Sequence, residues 1–269
     1  MTRTQRTCAD FQDGPSPAEG NQSQINEFIL VNTTDFSYLS IPYPASTLYV
    51  STFTFPLSNS SNNAFYIDDL FITARGLGSS GTIEFVGSDY PGPIIQGGED
   101  NDIRVDVVLR YGGDQNVMDT VHVCKLDRDD GSSGIGIFVR FLLLLFFLRI
   151  KADNQTPTET DGKVTNVYML DPTALPSFQI VVRLPPAAIA KKTAGPIWLN
   201  SLNIDVDRMN IIWGDLGGVL EMGSFVFNTR RGSFNAGHLS AQKATVLSAY
   251  NDVAGTFNIS ESLLVNVSE

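Results

Sequence analysis

The sequence contains few of the residues from which metal centres and redox sites are built. Its 269 residues include two cysteines, Cys8 and Cys124, and two histidines, His122 and His238. Two cysteines make neither a disulfide framework nor a CxxC pair, and we predict that both thiols are unpaired. The two histidines lie far apart in the sequence, which argues against a histidine-based metal site. We therefore predict no metal ligand and no cofactor.

His122 and Cys124 are two residues apart in a stretch whose pattern predicts a strand. Residues two apart on a strand are separated by about 7 Å, which is too far for a direct hydrogen bond between the side chains. A cysteine–histidine dyad is therefore not predicted, and no catalytic residue is assigned.

Positive charge is also scarce. The chain has 18 Lys and Arg against 29 Asp and Glu, which gives a net charge of −11. Phosphate backbones and anionic lipid surfaces repel an acidic protein. The adjacent basic pairs are Lys191-Lys192 and Arg230-Arg231, and neither is interleaved with aromatic residues. Nucleic acid is therefore not a predicted partner, and an anionic membrane surface is disfavoured.

Long hydrophobic runs are lacking as well. Residues 141–148 are apolar throughout and lie between Arg140 and Arg149, but a helix needs about 20 apolar residues to span a bilayer. Membrane association through this short run is the second alternative function. Residues 1–13 lack the apolar core of a secretory signal peptide. At face value, the sequence predicts a cytoplasmic protein.

Alternation of apolar and polar residues with a period of two is abundant, and it indicates half-buried β-strands. Ile103 to Leu109 places four apolar residues on one face, with Arg104 and Asp106 on the solvent face. Phe178 to Leu184 shows a similar pattern. The best helix signal is one or two turns at residues 186–192. We predict an all-β fold with little helix, either a β-solenoid or an elongated β-sandwich.

The last third of the chain carries a weak repeat. Gly232-Ser233-Phe234-Asn235 recurs as Gly255-Thr256-Phe257-Asn258, 23 residues later (255 − 232). This spacing is typical of solenoid coils, with glycine at a corner, phenylalanine inward and asparagine capping the turn. Two hairpins of a sandwich are the alternative. We predict a flexible polar tail over residues 1–35 and a single all-β domain over residues 36–269, repeat-like from about residue 196.

Three segments carry a family resemblance. Asp102 to Val107, Val123 to Leu126 and Gly134 to Phe138 resemble an uncharacterised fungal domain family of basidiomycete type. The Gly-x-Phe-Asn repeats are similar to adhesin-like β-solenoid proteins, to which that family is related. The resemblance implies a fold. It carries no activity or site residues that could be transferred to this chain.

Gly76 to Gly81 spells GxGxxG, the spacing of a dinucleotide-binding turn. Such a turn must open a helix whose N-terminus holds the pyrophosphate. Residues 82–86 have the pattern of a strand instead, so we predict a hairpin loop here.

Asp127 to Gly131 looks like the start of a calcium-binding loop. An EF-hand needs its glycine one place later and a glutamate at the twelfth position, which Phe138 occupies here. We predict a solvated turn.

The functional hypothesis that fits these observations is a non-catalytic structural or interaction module, adhesin-like, whose partner is an unknown protein or glycan. Stacked coils offer long flat faces for such binding. The alternative is a carbohydrate-active β-helix enzyme, with Asp205 and Asp207 beside Arg208 on one strand face, because paired carboxylates can perform acid/base chemistry.

Residues 139–155 have a composition unlike their surroundings. We interpret them as a retained intron, because 17 codons (155 − 139 + 1) read through in frame and their excision would join Phe138 to Thr156. A genuine apolar insertion is the other interpretation. If the segment is translated intron, it should lack a consistent place in the fold.

The C-terminal residues, Leu263 to Val267, have the pattern of a strand with no cap after it. A solenoid end exposes unpaired backbone groups and an open core. We therefore expect either a truncated gene model or pairing of the final coil with another chain, including self-association.

Overall fold

The computed structural model describes residues 22–25, 29–31, 47–59, 65–76, 78–87, 102–111, 121–128, 130–139, 176–185 and 196–268. Every regular element in these ranges is a β-strand, which confirms the all-β class. The strands, in chain order, are β1 (Gln22–Ile25), β2 (Ile29–Val31), β3 (Thr47–Pro56), β4 (Ser58–Asn59), β5 (Phe65–Arg75), β6 (Ser80–Val86), β7 (Asp102–Tyr111), β8 (Val121–Asp127), β9 (Ser133–Val139), β10 (Ser177–Arg183), β11 (Ile197–Val206), β12 (Arg208–Asp215), β13 (Leu220–Thr229), β14 (Phe234–Ser248) and β15 (Val253–Val267).

All fifteen strands belong to one sheet. The order along its main path is β1-β8-β9-β5-β11-β13-β14-β12-β6-β10-β7-β3-β2, with β15 beside β14 and β4 beside β5. Strand β14 is 15 residues long, and its two halves have different neighbours. Its first half pairs with β12 and its second half with β13. One strand therefore joins two rows of parallel strands.

The first row contains β9, β5, β11, β13, the second half of β14 and the second half of β15, all parallel. The second row contains β10, β6, β12 and the first halves of β14 and β15, again parallel. Apolar residues stack in columns along each row. One column of the first row is Ile72, Ile204, Phe227, Val246 and Val265. Alternation produces these columns, because every second side chain of a strand points to the same face.

The core lies between inward-facing side chains of both rows. Rings follow one another through it: Phe85 to Trp213 at 4.4 Å, Trp213 to Phe225 at 5.7 Å and Phe225 to Phe234 at 5.5 Å between centroids. These four rings are fully buried. Burying a side chain of this size contributes about 2–3 kcal/mol, and each aromatic pair adds roughly 1 kcal/mol.

The predicted repeat spacing is wrong for the last step of the stack. Phe234 of β14 lies opposite Ile211 of β12 and opposite Val253 of β15. The first separation is 234 − 211 = 23 residues and the second is 253 − 234 = 19. Hydrogen bonds from Ser233 to Asn210 and from Ser268 to Ala249 join residues with these same two separations. The two Gly-x-Phe-Asn copies are therefore not in register, although Phe257 still stacks on Phe234 with centroids 5.9 Å apart.

The GxGxxG segment forms a corner rather than the predicted hairpin loop. Strands β5 and β6 follow one another but pair with different neighbours, β5 in the first row and β6 in the second. Gly76 has φ 102°, a conformation that side chains rarely adopt, and a Cβ there would lie 2.4 Å from the Val139 carbonyl oxygen. A strand follows the corner, as predicted, so no helix N-terminus is available for a pyrophosphate.

Strand β7 is buried on both faces, which corrects the prediction that Asp106 faces solvent. Its side chain is 1% exposed and lies 2.9 Å from Arg104 Nε and 3.1 Å from Arg183 Nε. Thr52 donates a further hydrogen bond of 2.8 Å to Asp106 Oδ1. A sequence in which charged and apolar residues alternate is the same whether the charged side chains face water or form a buried ion pair.

Two strands, β1 and β2, lie inside the tail predicted at residues 1–35 and pair with β8 and β3. The domain boundaries themselves stay a prediction. The helix signal at 186–192, the apolar run at 141–148 and the intron hypothesis for 139–155 fall outside the described residues, apart from Val139 at the end of β9.

Candidate binding face

The carboxylates and the arginine predicted for the alternative enzyme lie close in sequence but engage different partners. Asp205 is on β11 and accepts a hydrogen bond from Arg75 on β5. Asp207 lies in the bend after β11, where Arg230 Nε is 3.5 Å from its Oδ1. Arg208 opens β12, opposite Ser80. Each carboxylate is paired with a different arginine.

Asp205 instead belongs to a network across three strands. Its Oδ2 accepts from the Arg75 guanidinium, and its Oδ1 accepts from Asn228 Nδ2 at 3.2 Å. Asp205 and Asn228 are register partners on β11 and β13. The side chains of Arg75 and Asp205 remain 47% and 33% exposed. Charged groups are thus held in fixed positions while part of their surface stays in water.

A second network lies nearer the start of the same strands. Asp69 Oδ1 on β5 accepts from Asn200 Nδ2 at 2.8 Å and from Ser201 Oγ at 2.6 Å. We call the outward surface formed by Asp69, Arg75, Asn200, Ser201, Asp205 and Asn228 the polar face. Its groups are amides, carboxylates, a hydroxyl and a guanidinium, which together offer donors and acceptors in fixed directions.

The position of Asp69 follows from a repeated break in the alternation. In β5 the inward residues Ile67 and Leu70 are separated by two outward residues instead of one. The same spacing occurs in β11 between Leu199 and Leu202, and in β13 between Met222 and Phe225. These positions are in register. Successive strands therefore present two consecutive outward residues at one level: Asp68-Asp69 on β5, Asn200-Ser201 on β11 and Gly223-Ser224 on β13.

Two aromatic side chains border the polar face. Trp198 and Tyr66 are register partners on β11 and β5, and both are partly exposed. Desolvation raises the pKa of the Tyr66 hydroxyl, and the negative charges of Asp68 and Asp69 raise it further. The hydroxyl is therefore a donor at neutral pH, adjacent to acceptor carboxylates.

Sequence reasoning found Asp205 but missed Arg75, Asp69 and Asn228. The hydrogen bond from Asn200 to Asp69 joins residues 131 apart in the chain. No pattern within a short stretch of sequence can indicate a contact between residues so far apart in the chain. The signal that was available is the doubled polar pair, Asp68-Asp69 and Asn200-Ser201, which interrupts otherwise regular alternation.

Cys124 corrects the prediction of two unpaired thiols, because it is disulfide-bonded. It is fully buried in a small cluster with Phe71, Leu126 and Phe138. Gly134 of β9 allows this packing, since a Cβ there would lie 2.6 Å from the Phe71 ring. Cys8 lies outside the described residues. The Cys124 sulfur is thus not available as a nucleophile.

The predicted solvated turn between β8 and β9 is confirmed at the described residues of the segment. Asp130 Oδ1 accepts from the backbone nitrogen of Ser132 at 2.9 Å and from its hydroxyl at 2.6 Å. These two hydrogen bonds lower the pKa of Asp130. The carboxylate therefore serves the turn itself.

His238, the other histidine, lies on β14 opposite Asp215. Its carbonyl oxygen accepts the indole hydrogen bond of Trp213 at 3.0 Å, which satisfies a donor of the core. Among the described residues, no group of three or more His, Cys, Asp or Glu is placed to hold a metal ion. Nowhere in those residues does a helix reach the length and apolarity that crossing a membrane requires.

No family model matches the chain, and no curated protein matches its sequence. A search of solved structures found the crystal structure of a "putative cell adhesion protein" from Clostridium sporogenes, with 7% sequence identity and a TM-score of 0.26. The match covers 82% of this chain and 100% of that chain. A likeness at this level establishes neither fold nor function.

Proposed function

We propose that the chain is a non-catalytic, adhesin-like interaction module built as a β-solenoid, and that it binds a protein or glycan on its polar face. The two parallel rows joined by β14 support the solenoid, because the chain alternates between the rows and the paired residues Ile211, Phe234 and Val253 are 23 and 19 positions apart (234 − 211 and 253 − 234). This winding places equivalent side chains above one another, and an extended binding surface results.

The observation that carries the proposal is the network around Asp205. Arg75 and Asn228 orient its carboxylate, and the carboxylate can still accept further hydrogen bonds, because each oxygen can accept more than one. Fixed, partly exposed polar groups lose little conformational entropy on binding. Trp198 and Tyr66 add ring surface beside them, on which an apolar face of a sugar or of a side chain could pack.

A glycan array and a pull-down with the whole chain test this proposal. Asp205→Ala should weaken binding at least about tenfold, because it removes the group that orients Arg75 and Asn228. Asp215→Ala is the matched control, since Asp215 is an exposed carboxylate on β12, in the second row. Equal loss in both variants, or turnover of a polysaccharide that disappears with Asp205→Ala, would contradict a non-catalytic polar face.

We further propose that the protein functions in an oxidising compartment, against the cytoplasmic location expected from the sequence. The disulfide at Cys124 supports this, because disulfides persist mainly in secreted and surface proteins. Thiol labelling of protein purified without reductant tests it. A freely reacting Cys124 after unfolding under non-reducing conditions would contradict the proposal.

A further inference from the structure

Strand β15 has an open edge over its whole length. It is 15 residues long and, within the described part of the chain, pairs only with β14. None of its side chains is buried, whereas β14 buries residues along both halves. A row of backbone donors and acceptors is therefore available for pairing with another strand.

The side chains at this edge continue the core columns. Leu263 lies opposite the buried Ala244, and Val265 lies opposite the buried Val246. In β15 they are 48% and 42% exposed. Positions that are core in β14 thus meet water in β15, which is the surface expected of a coil that lacks its next neighbour.

The edge also lacks the usual protection against pairing. Natural edge strands are short or carry lysine or proline, and β15 has neither residue. Its one charged residue is Glu261, which is already paired with Lys243 at 3.4 Å. Although the whole chain is strongly acidic, this strip is nearly free of charge, so two copies can approach here without strong repulsion.

The lengths of the described edge strands indicate which strand can pair with β15. The strands that end the main path, β1 and β2, are four and three residues long. A head-to-tail contact through either would leave most of β15 uncovered. Among the described strands, only β15 has an unpaired edge of this length, so β15 of a second copy matches it, and a two-fold arrangement closes after two copies.

We propose that β15 pairs antiparallel with β15 of a second copy, about a two-fold axis at Ser262. This register places the inward side chains of Phe257 and Ile259 opposite those of Val267 and Val265, and it places Leu263 opposite Glu261. About eleven facing pairs give a contact roughly 36 Å long, at about 3.3 Å per residue. The dimer should depend on concentration.

Analytical ultracentrifugation of the 269-residue chain tests the proposal. The wild type should form dimers at micromolar concentration, and Val265→Lys should weaken them more than about 100-fold, because each dimer would bury two unpaired ammonium groups. Ile212→Lys is the matched control. Ile212 is 46% exposed on β12, away from the edge, and its substitution should leave the dimer unchanged. A wild type that stays monomeric at ~100 µM, or dimers that survive Val265→Lys, would overturn the proposal.

Cysteine cross-linking tests the register. Ser262→Cys should form an intermolecular disulfide, because facing residues of antiparallel strands have Cα atoms about 4.5–5.5 Å apart, within disulfide range. Ser260→Cys should not, since it would face Leu264 of the second copy. Stronger cross-linking by Ser260→Cys, or assemblies larger than dimers, would show a different arrangement and refute the two-fold pairing.

Discussion

The two ends of the parallel rows are built differently. At one end, β9 and β10 are followed by antiparallel neighbours, β8 beside β9 and β7 beside β10. At the other end, β15 continues the parallel direction and no described strand follows it. We call these the antiparallel end and the open end.

The antiparallel end shows how a stack of parallel strands can be closed. Strand β7 buries both faces, and its buried carboxylate, Asp106, is paired with Arg104 of the same strand and with Arg183 of β10. At the open end, the columns of apolar side chains simply continue into solvent. The strands at both ends share the same alternation of apolar and polar residues. The two ends differ in whether an antiparallel strand covers the last parallel strand.

The largest effect is expected in the middle of the stack. Phe234→Ala removes a fully buried ring that lies between Phe225, Phe227 and Phe257, and should lower the free energy of unfolding by about 4 kcal/mol. Phe257→Ala, one strand nearer the open end, should cost about 1 kcal/mol, because its ring is only partly buried. Urea denaturation at a protein concentration below the dimer range measures both variants in the monomer. Similar losses under that condition would contradict the partial burial of Phe257.

A smaller but still large effect is expected at the antiparallel end. Asp106→Asn keeps the shape of the side chain but leaves Arg104 and Arg183 without their shared counter-charge, and should cost about 3 kcal/mol. Asp205→Asn, in an exposed ion pair, should cost less than about 1 kcal/mol. The same denaturation experiment compares them. An equal cost would show that the Asp106 cluster is open to water.

The smallest effect concerns the β8–β9 turn at the antiparallel end. Ser132→Ala removes the hydroxyl that donates to Asp130, so the pKa of Asp130 should rise towards its ordinary value. Because the folded pKa is lowered, the contribution of this carboxylate is present above its unfolded pKa and is lost as the pH falls through the folded one, below about pH 4. Titration by nuclear magnetic resonance measures the shift. An unchanged pKa would contradict the hydrogen bond.

The sequence predicted the strands better than their neighbours. Alternation in Ile103 to Leu109 and in Phe178 to Leu184 located β7 and β10 to within two residues. It could not show that these two strands pair with each other. The register between distant segments depends on how side chains pack across the sheet. The sequence of one strand does not indicate which strand pairs with it.

The candidate face was only partly predictable for the same reason. Asp205 was visible as a polar residue on a strand, but its role depends on Arg75, which lies 130 positions away. The sequence predicts a 23-residue step here because a Gly-x-Phe-Asn match depends on local composition, whereas the pairing of Phe234 with Val253 depends on the length of chain between the two strands.

The spacing of the strands along the chain has a consequence for the order of folding. From β11 to β15, paired residues of neighbouring parallel strands are only about 20 positions apart in the chain, so forming each pairing costs little chain entropy. The contact between β5 and β11 must instead bring together residues about 131 apart, and such non-local pairings form slowly. We expect β11 to β15 to assemble first and to act as the template on which β5 and β6 dock. In pulsed hydrogen exchange, amides of β13 and β14 would then become protected before those of β5, although β5 is synthesised earlier.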